Sequence, residues 1–352
     1  MVRRVRHTDS LRVLCGGALL LVWPWCTGTL WASEAGLAGR GMGSINLFAA
    51  AAVTGDSYVV VGDRGRVFLS TDGARTWRRV ESGTAQPLVS VRFVDPAHGW
   101  ACGQAGTILS TANGGAEWVL QRSGVESYLF ALDFVDRGHG LAVGADSTVL
   151  KTSDGGLTWQ RCTLAPSPAG SAMEEALGEQ EELNLFAVAM VDQRRACIAG
   201  EKGKIFYTED GGSRWSEAAS PLYDKEMQQG RILYSLAYDG GIFYGCGIDG
   251  TLVFSRDGGK TWTEGTLGSG RPELYAIGIL GGVGYAVGSG GSVFKTSDGG
   301  RTWGEVGVPE RVRQWWLSGV TLSREGAGPR IAGLIVGQNG AVGRIEGETI
   351  RW

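Results

Sequence analysis

The sequence has few of the residues that build metal sites, disulfide frameworks or nucleic-acid interfaces. Histidine occurs three times and proline nine times in 352 residues, and the six cysteines include no Cys-x-x-Cys pair. A zinc site is therefore not expected. The 33 basic residues stand against 36 acidic ones without forming a basic block, which argues against a nucleic-acid partner. The sequence does not identify a disulfide among Cys102, Cys162, Cys197 and Cys246.

Several catalytic and ion-binding motifs are also absent. There is no Ser-His-Asp signature and no phosphate-cradling P-loop. The Asp-Gly-Gly clusters lack the spaced carboxylates of an EF-hand calcium loop. We therefore expect no catalytic residues, no metal site and no cofactor.

The N-terminal segment has the pattern of a signal peptide. Four arginines precede an apolar run over residues 13–25 that is too short for a membrane span. Removing residues 1–35 leaves 29 basic and 34 acidic residues, a net charge of −5. Cys26 follows Trp-Pro-Trp, a poor context for lipid attachment. We expect export to the periplasm or another extracytoplasmic compartment, without a lipid anchor and with no transmembrane span in the mature chain.

Glycine and tryptophan, in contrast, are abundant. The chain contains 59 glycines and 13 tryptophans, and this glycine content is more than twice the usual share of about 7%. No collagen-like period is present, and 43% of the residues are apolar. This composition predicts many tight turns in a globular β protein.

A repeated unit explains the glycines. A Gly-x-x-Gly turn, with one variant at Gly144, precedes each of seven tryptophans, and twelve residues separate the last turn residue from the tryptophan every time. Between them, six of the seven copies carry an Asp box such as Ser70-Thr-Asp-Gly-Ala-Arg-Thr-Trp77. The repeats end near residues 77, 118, 159, 215, 262, 303 and 352.

Each repeat predicts four short strands separated by turns. In the second repeat these are residues 88–94, 100–102, 107–110 and 118–121. Seven such units predict an all-β fold, a seven-bladed β-propeller with four-stranded antiparallel blades and Asp-box turns. We expect a single propeller over residues 36–352, closed by strands from the two termini.

The Asp boxes are interpreted as structural. An aspartate can accept hydrogen bonds from backbone N–H groups of its own turn, and we expect the tryptophan to pack against the next blade. Six near-identical copies cannot all be one active site. The set consists of Asp72, Asn113, Asp154, Asp210, Asp257 and Asp298, with Trp77, Trp118, Trp159, Trp215, Trp262 and Trp303.

Polar side chains of the Gly-x-x-Gly hairpins are the candidate partner-binding residues, because these hairpins surround the channel mouth of a propeller on the face opposite the Asp boxes. They are Arg64, Gln104, Asp146, Glu201, Lys202, Asp249, Gln338 and Asn339. Their mixed charges favour a polar protein or peptide partner. The alternative is that they are ordinary solvated turn residues.

Three segments carry a family resemblance: residues 93–100, residues 103–109, and the Asp box at residues 152–159. Over about residues 45–352 the chain resembles the BNR/Asp-box propellers, and among them the photosystem II stability/assembly factor family. This resemblance implies a non-catalytic scaffold that binds a protein, such as a membrane-protein assembly intermediate. The arginine-rich patch of photosynthetic members cannot be placed on this sequence. The alternative is a sialidase-like glycoside hydrolase or a carbohydrate-binding propeller, although the Phe/Tyr-Arg-Ile-Pro motif of sialidases is absent.

Overall fold

A computed structural model describes residues 45–164, 182–224, 226–227, 229–268, 270–324 and 330–352. The predicted signal peptide lies outside the described residues. In the described ranges, no helix is long and apolar enough to cross a membrane.

The described residues form seven four-stranded antiparallel sheets, in each of which the strand order follows the chain. The seven-bladed propeller prediction is therefore confirmed. The strands of blades 1 to 3 are β1 (Leu47–Ala52), β2 (Tyr58–Gly62), β3 (Val67–Ser70), β4 (Arg78–Val80), β5 (Leu88–Phe93), β6 (Gly99–Gly103), β7 (Ile108–Thr111), β8 (Val119–Gln121), β9 (Leu129–Phe134), β10 (Gly140–Gly144), β11 (Val149–Thr152) and β12 (Gln160–Cys162).

Blades 4 to 7 continue the same plan. A small two-stranded sheet, β17 with β18, is inserted after blade 4. The strands are β13 (Leu185–Met190), β14 (Ala196–Gly200), β15 (Ile205–Thr208), β16 (Ser216–Glu217), β17 (Tyr223–Asp224), β18 (Gln229–Gly230), β19 (Leu233–Asp239), β20 (Ile242–Gly247), β21 (Leu252–Ser255), β22 (Thr263–Glu264), β23 (Leu274–Leu280), β24 (Val283–Gly288), β25 (Val293–Thr296), β26 (Gly304–Glu305), β27 (Leu317–Arg324), β28 (Ile331–Gly337), β29 (Val342–Glu346) and β30 (Thr349–Arg351).

The ring closes without exchange of strands, so our expectation of closure by strands from both termini was wrong. Blade 1 is built wholly from β1–β4 and blade 7 wholly from β27–β30. The two blades meet through their inner strands β1 and β27. There, Ser318 Oγ donates to the Leu47 carbonyl at 2.9 Å, and the Ala52 N–H donates to Thr321 Oγ1 at 3.2 Å. Packing and these side-chain hydrogen bonds therefore help to hold the junction.

Each hairpin glycine has a steric reason. A Cβ on Gly103, the first glycine of the blade 2 turn, would lie 1.9 Å from the Pro87 carbonyl oxygen. The last glycine, Gly106, has φ +62°, and its N–H donates to the Ser127 carbonyl of the next linker at 2.9 Å. Glycine adopts this backbone without strain where the turn touches the next blade.

The same contact recurs at the blade 7–blade 1 junction and in the variant turn. The Gly340 N–H donates to the Ile45 carbonyl at 2.5 Å, so the ring closes with the bond that also joins successive blades. In blade 3, the glycine is replaced by Ser147 at φ 50°, and its N–H donates to the Leu183 carbonyl at 2.8 Å. Ser147 Oγ in turn accepts from the Leu183 N–H at 2.9 Å. The serine thus offsets its strained backbone with a second bond.

The Asp-box tryptophans pack against the preceding blade, which corrects our expectation of the next blade. Trp118 of blade 2 shares a core cluster with Val59 of blade 1, and Trp77 of blade 1 shares one with Leu334 of blade 7. The reason is that each Asp box packs against the second strand of the preceding blade. Trp100 Nε1 of β6, for example, donates to the Gly155 carbonyl in the blade 3 box at 2.9 Å.

Within the box, one carboxylate organises the turn. Asp298 Oδ1 accepts from the backbone N–H groups of Arg301 and Thr302 at 3.0 Å each, and Oδ2 accepts from the Thr302 hydroxyl at 2.7 Å. These bonds from Thr302 lower the pKa of Asp298 to about 2. In blade 2, Asn113 Oδ1 takes the equivalent backbone bond, from Glu117 at 2.9 Å, while its Nδ2 donates to the Glu117 carboxylate. This geometry supports the structural interpretation of the boxes.

The four cysteines in the described ranges are buried free thiols, Cys102, Cys162, Cys197 and Cys246. Burial raises the pKa of each thiol. They therefore pack as small apolar side chains.

Candidate binding site at the channel mouth

The Gly-x-x-Gly hairpins lie beside the starts of the inner strands. In each hairpin, one backbone N–H donates to the inner strand's own end of the blade. The donor is the residue that follows the first glycine, and the acceptor is the carbonyl of the residue that precedes the inner strand. Examples are Gln104 to Pro87 at 3.1 Å and Gln338 to Trp316 at 3.0 Å. Because the inner strands surround the axis, the predicted binding residues lie at one end of the ring and are distributed over six blades. Blade 6 contributes only Ser289 and Gly290 to this set of turn positions.

The second residue of each turn adopts a left-handed backbone. Where that residue is not glycine, φ lies between 52° and 57°, in Arg64, Ala105, Asp146, Lys202, Asp249 and Asn339. Aspartate and asparagine tolerate this region well. Turn conformation therefore accounts for Asp146, Asp249 and Asn339, but it does not account for Arg64 and Lys202.

The predicted site residues differ in how firmly the protein itself holds them. Glu201 is half-buried and accepts from the Asn184 N–H and Nδ2, both at 3.0 Å, which fixes the start of β13. Arg64, Gln104, Asp146, Asp249 and Asn339 are exposed. Glu201 therefore serves the fold, and the exposed residues are the ones presented to solvent.

A ring of inner-strand residues was missed by the sequence reasoning. In every inner strand, the first residue pairs with the first glycine of the hairpin. The third residue pairs with the residue that precedes this glycine. The second residue has no counterpart in this strand register and is therefore a β-bulge. Bulges redirect a side chain and recur next to functional sites. We call these seven residues the collar: Phe48, Val89, Phe130, Phe186, Tyr234, Tyr275 and Ser318.

Four aromatic collar residues form a continuous wall. Ring centroids are 4.9 Å apart between Phe130 and Phe186, and 5.6 Å apart both from Phe186 to Tyr234 and from Tyr234 to Tyr275. Since equivalent residues of successive blades touch one another, they lie around the channel axis. Each is only half-buried, unlike the fully buried leucine that precedes it. The aromatic wall therefore borders open space at the hairpin end of the channel.

Carboxylates surround the aromatic wall on blades 4 to 6. Tyr275 Oη donates to the Glu273 carboxylate. Burial, together with the negative charges of Glu273, Asp249 and Glu201, raises the pKa of Tyr234 to about 12. The tyrosine end of the wall therefore lies among carboxylates, and Glu273 is hydrogen-bonded to it.

The sequence did contain a signal for the collar. A tripeptide of leucine, an aromatic residue and a small residue opens five inner strands, for example Leu129-Phe-Ala and Leu274-Tyr-Ala. A strict inside–outside alternation of strand residues does not predict the collar, because the bulge shifts the strand pairing by one residue.

No group of three or more His, Cys, Asp or Glu side chains in the described ranges could hold a metal ion. The two histidines in the part of the chain that the structure describes, His98 and His139, contact Asp95 and Asp136 of their own turns at 3.0 Å. Their position fits turn chemistry.

Comparison with known proteins identifies the family. The model of the family described as photosynthesis system II assembly factor YCF48 matches residues 111–219 and 167–332. The chain belongs to this family. The family resemblance drawn from the sequence is thus confirmed. No curated protein matches the chain.

Solved structures of the YCF48 family share the fold. "YCF48 bound to D1 peptide" is 16% identical with a TM-score of 0.63, covering 86% of this chain and 92% of its own. YCF48 from Cyanidioschyzon merolae is 16% identical with a TM-score of 0.65, covering 87% and 97%. An ancestral GH74 enzyme has a TM-score of 0.66 at 13% identity, and the match covers 90% of this chain but only 46% of that enzyme.

Proposed function

We propose that this protein is an exported, non-catalytic scaffold that binds a protein or peptide partner at the hairpin face, resembling photosystem II assembly factors. Membership of the YCF48 family supports a role in assembly. A structural relative is described as bound to a D1 peptide, so a segment of a membrane-protein assembly intermediate is the partner class that we favour. The observation that carries the proposal is the half-buried aromatic wall at the channel mouth, where a rigid ring of hairpins presents it to a partner.

Two of the carboxylates near the mouth are held by neighbouring side chains, which favours binding over hydrolysis. A glycoside hydrolase needs two carboxylates facing a cleft, one of them able to deliver a proton. Here Glu201 is engaged by Asn184, and Glu273 accepts from Tyr275. The Asp-box carboxylates are engaged within their own turns.

A carbohydrate-active role is the second candidate. The GH74 likeness and the aromatic wall favour it, because sugars stack on aromatic rings. Turnover of fluorogenic sialosides or glucosides by the purified protein would replace the scaffold proposal with this one.

Site-specific photo-crosslinking tests the scaffold proposal. A benzoyl-phenylalanine placed at Gln104 or Asn339, both exposed on hairpins, should trap one discrete protein partner in intact cells. The matched control is Ser153, which is exposed in the Asp box at the other end of blade 3. Crosslinks of equal yield from Ser153 would contradict the hairpin face as the binding surface.

Cell fractionation tests export. The protein should be recovered from the extracytoplasmic fraction in a form shortened by about 35 residues, as expected for a cleaved signal peptide. Recovery of the full-length chain from the cytoplasm would overturn this part of the proposal.

A further inference from the structure

We propose that the collar of blades 3 to 6, with the carboxylates beside it, is a receptor for a basic side chain, arginine or lysine, on an extended peptide segment. This inference rests on the proposed protein-binding function and deepens it. It specifies the chemistry of the partner that enters the channel mouth.

The first argument is the placement of the aromatic rings. Each ring of the wall sits at a bulge, where the inner strand makes no ladder pairing, and rings of successive blades contact one another. The faces of aromatic rings are electron-rich, and a cation within about 6 Å of a ring centroid is attracted to them. Centroid spacings of 4.9 to 5.6 Å allow one cationic group to contact two neighbouring rings.

The second argument is charge. Glu273 accepts a hydrogen bond from Tyr275 Oη, and Glu201 and Asp249 lie on the hairpins of blades 4 and 5 at the same end of the ring. Arg231, just before β19, is engaged with Glu264 on the outer strand β22. Lys202 is an opposing charge on the blade 4 hairpin. On this side of the mouth three carboxylates stand against Lys202 and against Arg271, whose backbone lies beside Gly250 of the blade 5 hairpin. The remaining negative charge favours a positively charged ligand.

The third argument distinguishes a basic side chain from a sugar. Successive rings of the wall are tilted by 55° to one another. They form a curved, stepped surface and not the flat platform on which a pyranose ring stacks. A guanidinium or ammonium group, being small and able to donate to several carboxylate oxygens, fits such a surface better.

The probe is a fluorescein-labelled Ser-Gly peptide with three arginines, compared with the same peptide carrying glutamine or glutamate in their place. Fluorescence anisotropy with the intact protein should show the arginine peptide binding at least about tenfold more tightly than the glutamine peptide, as several cation–π contacts and ion pairs imply. The preference should shrink at high salt. Equal binding of the arginine and glutamine peptides overturns the inference.

Substitutions locate the site. Tyr234→Ala and Glu273→Gln should each weaken arginine-peptide binding about three- to thirtyfold, and Lys202→Gln should strengthen it. The controls are Phe254→Ala, a half-buried aromatic on β21, and Glu81→Gln, an exposed carboxylate after β4. Losses in the controls as large as those in the collar variants would overturn the assignment. Melting curves confirm that every variant is folded, and Tyr234→Phe, which keeps the ring, should retain most of the binding.

Three further outcomes are decisive. Displacement of the arginine peptide by a cello-oligosaccharide of equal or higher affinity would overturn the inference in favour of carbohydrate. If hairpin crosslinks still trap a protein partner while the arginine peptide fails to bind, the inference fails and the scaffold proposal stands. If crosslinking fails while Tyr234-dependent arginine binding persists, the receptor stands and the scaffold proposal fails.

Discussion

At the scale of single residues, the Asp boxes depend on one side chain in each turn. Asp257 Oδ1 accepts from the Lys260 and Thr261 N–H groups at 3.1 and 3.0 Å, and Oδ2 accepts from the Thr261 hydroxyl at 2.6 Å. Asn113 keeps the equivalent backbone bond to Oδ1 with an amide. The side-chain oxygen, more than its charge, therefore makes the turn.

We predict that Asp257→Ala lowers the free energy of unfolding by about 1–2 kcal/mol, because the turn N–H groups lose their acceptor. Asp257→Asn should lower it by about half as much or less, as Asn113 indicates. Urea denaturation measures both, with Ser153→Ala as the surface control. An alanine variant as stable as the parent would show that the box does not hold the turn.

The Asp-box carboxylates also predict a pH dependence. Hydrogen bonds from Thr158 and Thr302 lower the pKa values of Asp154 and Asp298 to about 2, from an unfolded value of about 3.9. A lowered carboxylate pKa contributes stability above the unfolded pKa, and this contribution is lost as the pH falls through the folded pKa. The free energy of unfolding should therefore fall between about pH 4 and pH 2. The double variant Asp154→Asn and Asp298→Asn should flatten this fall, and an unchanged slope would refute the assignment.

At the scale of elements, the hairpin and the bulge form one device. In blade 2, Gly103 pairs with Leu88, the residue just before the bulge. Because Gly103 has no Cβ, the carbonyl oxygen of Pro87 can lie close to it. The close approach that fixes the turn therefore lies next to the collar.

We predict that Gly103→Ala destabilises the protein by about 3 kcal/mol or more, because its Cβ would lie 1.9 Å from the Pro87 carbonyl oxygen and backbone must move. The matched control is Gly304→Ala on β26. It has ordinary backbone angles and no atom within 4 Å of the new Cβ, so its effect should stay within about 0.5 kcal/mol. Thermal and urea denaturation distinguish them. Similar costs at the two positions would contradict the steric explanation.

The strands and hairpins also show how much of the fold could be predicted from the sequence. Constant spacing from Gly-x-x-Gly to tryptophan predicted the blades and located the hairpins on one face. The blade against which Trp118 packs could not be predicted, because this depends on how the Asp box packs against the sheet of the preceding blade. The collar was missed because the bulge at residues such as Phe130 breaks the alternation from which strand faces are inferred. That Glu201 would be held by Asn184 depends on the conformation of a linker, which a single sequence does not specify.

At the scale of the whole molecule, each core cluster draws side chains from two neighbouring blades. Ile345 of blade 7 packs with Tyr285 of blade 6, and Val342 of blade 7 packs with Trp77 of blade 1. Every blade is therefore stabilised from both sides, and damage to one blade affects two interfaces.

We predict that truncation after Val342 abolishes cooperative unfolding. Deleting residues 343–352 removes β30 and all but the first residue of β29, exposes the edge of β28 and takes Ile345 out of its cluster. Circular dichroism on heating should show a broad, early transition. Trp352→Ala, which leaves both strands in place, should melt cooperatively. A truncated chain with the melting curve of the parent would contradict the assignment of blade 7.

Because no sheet mixes the two ends of the chain, the order of the blades along the polypeptide is not tied to the geometry of the ring. A circular permutant that links residue 352 to residue 45 and opens in the blade 5–blade 6 linker would leave all the four-stranded sheets with their present strand neighbours. For the same reason, duplication or loss of one repeat, 41 residues where the spacing is shortest, would add or remove a complete blade. A single recombination event could therefore produce a ring of six or eight blades in which every four-stranded sheet is intact.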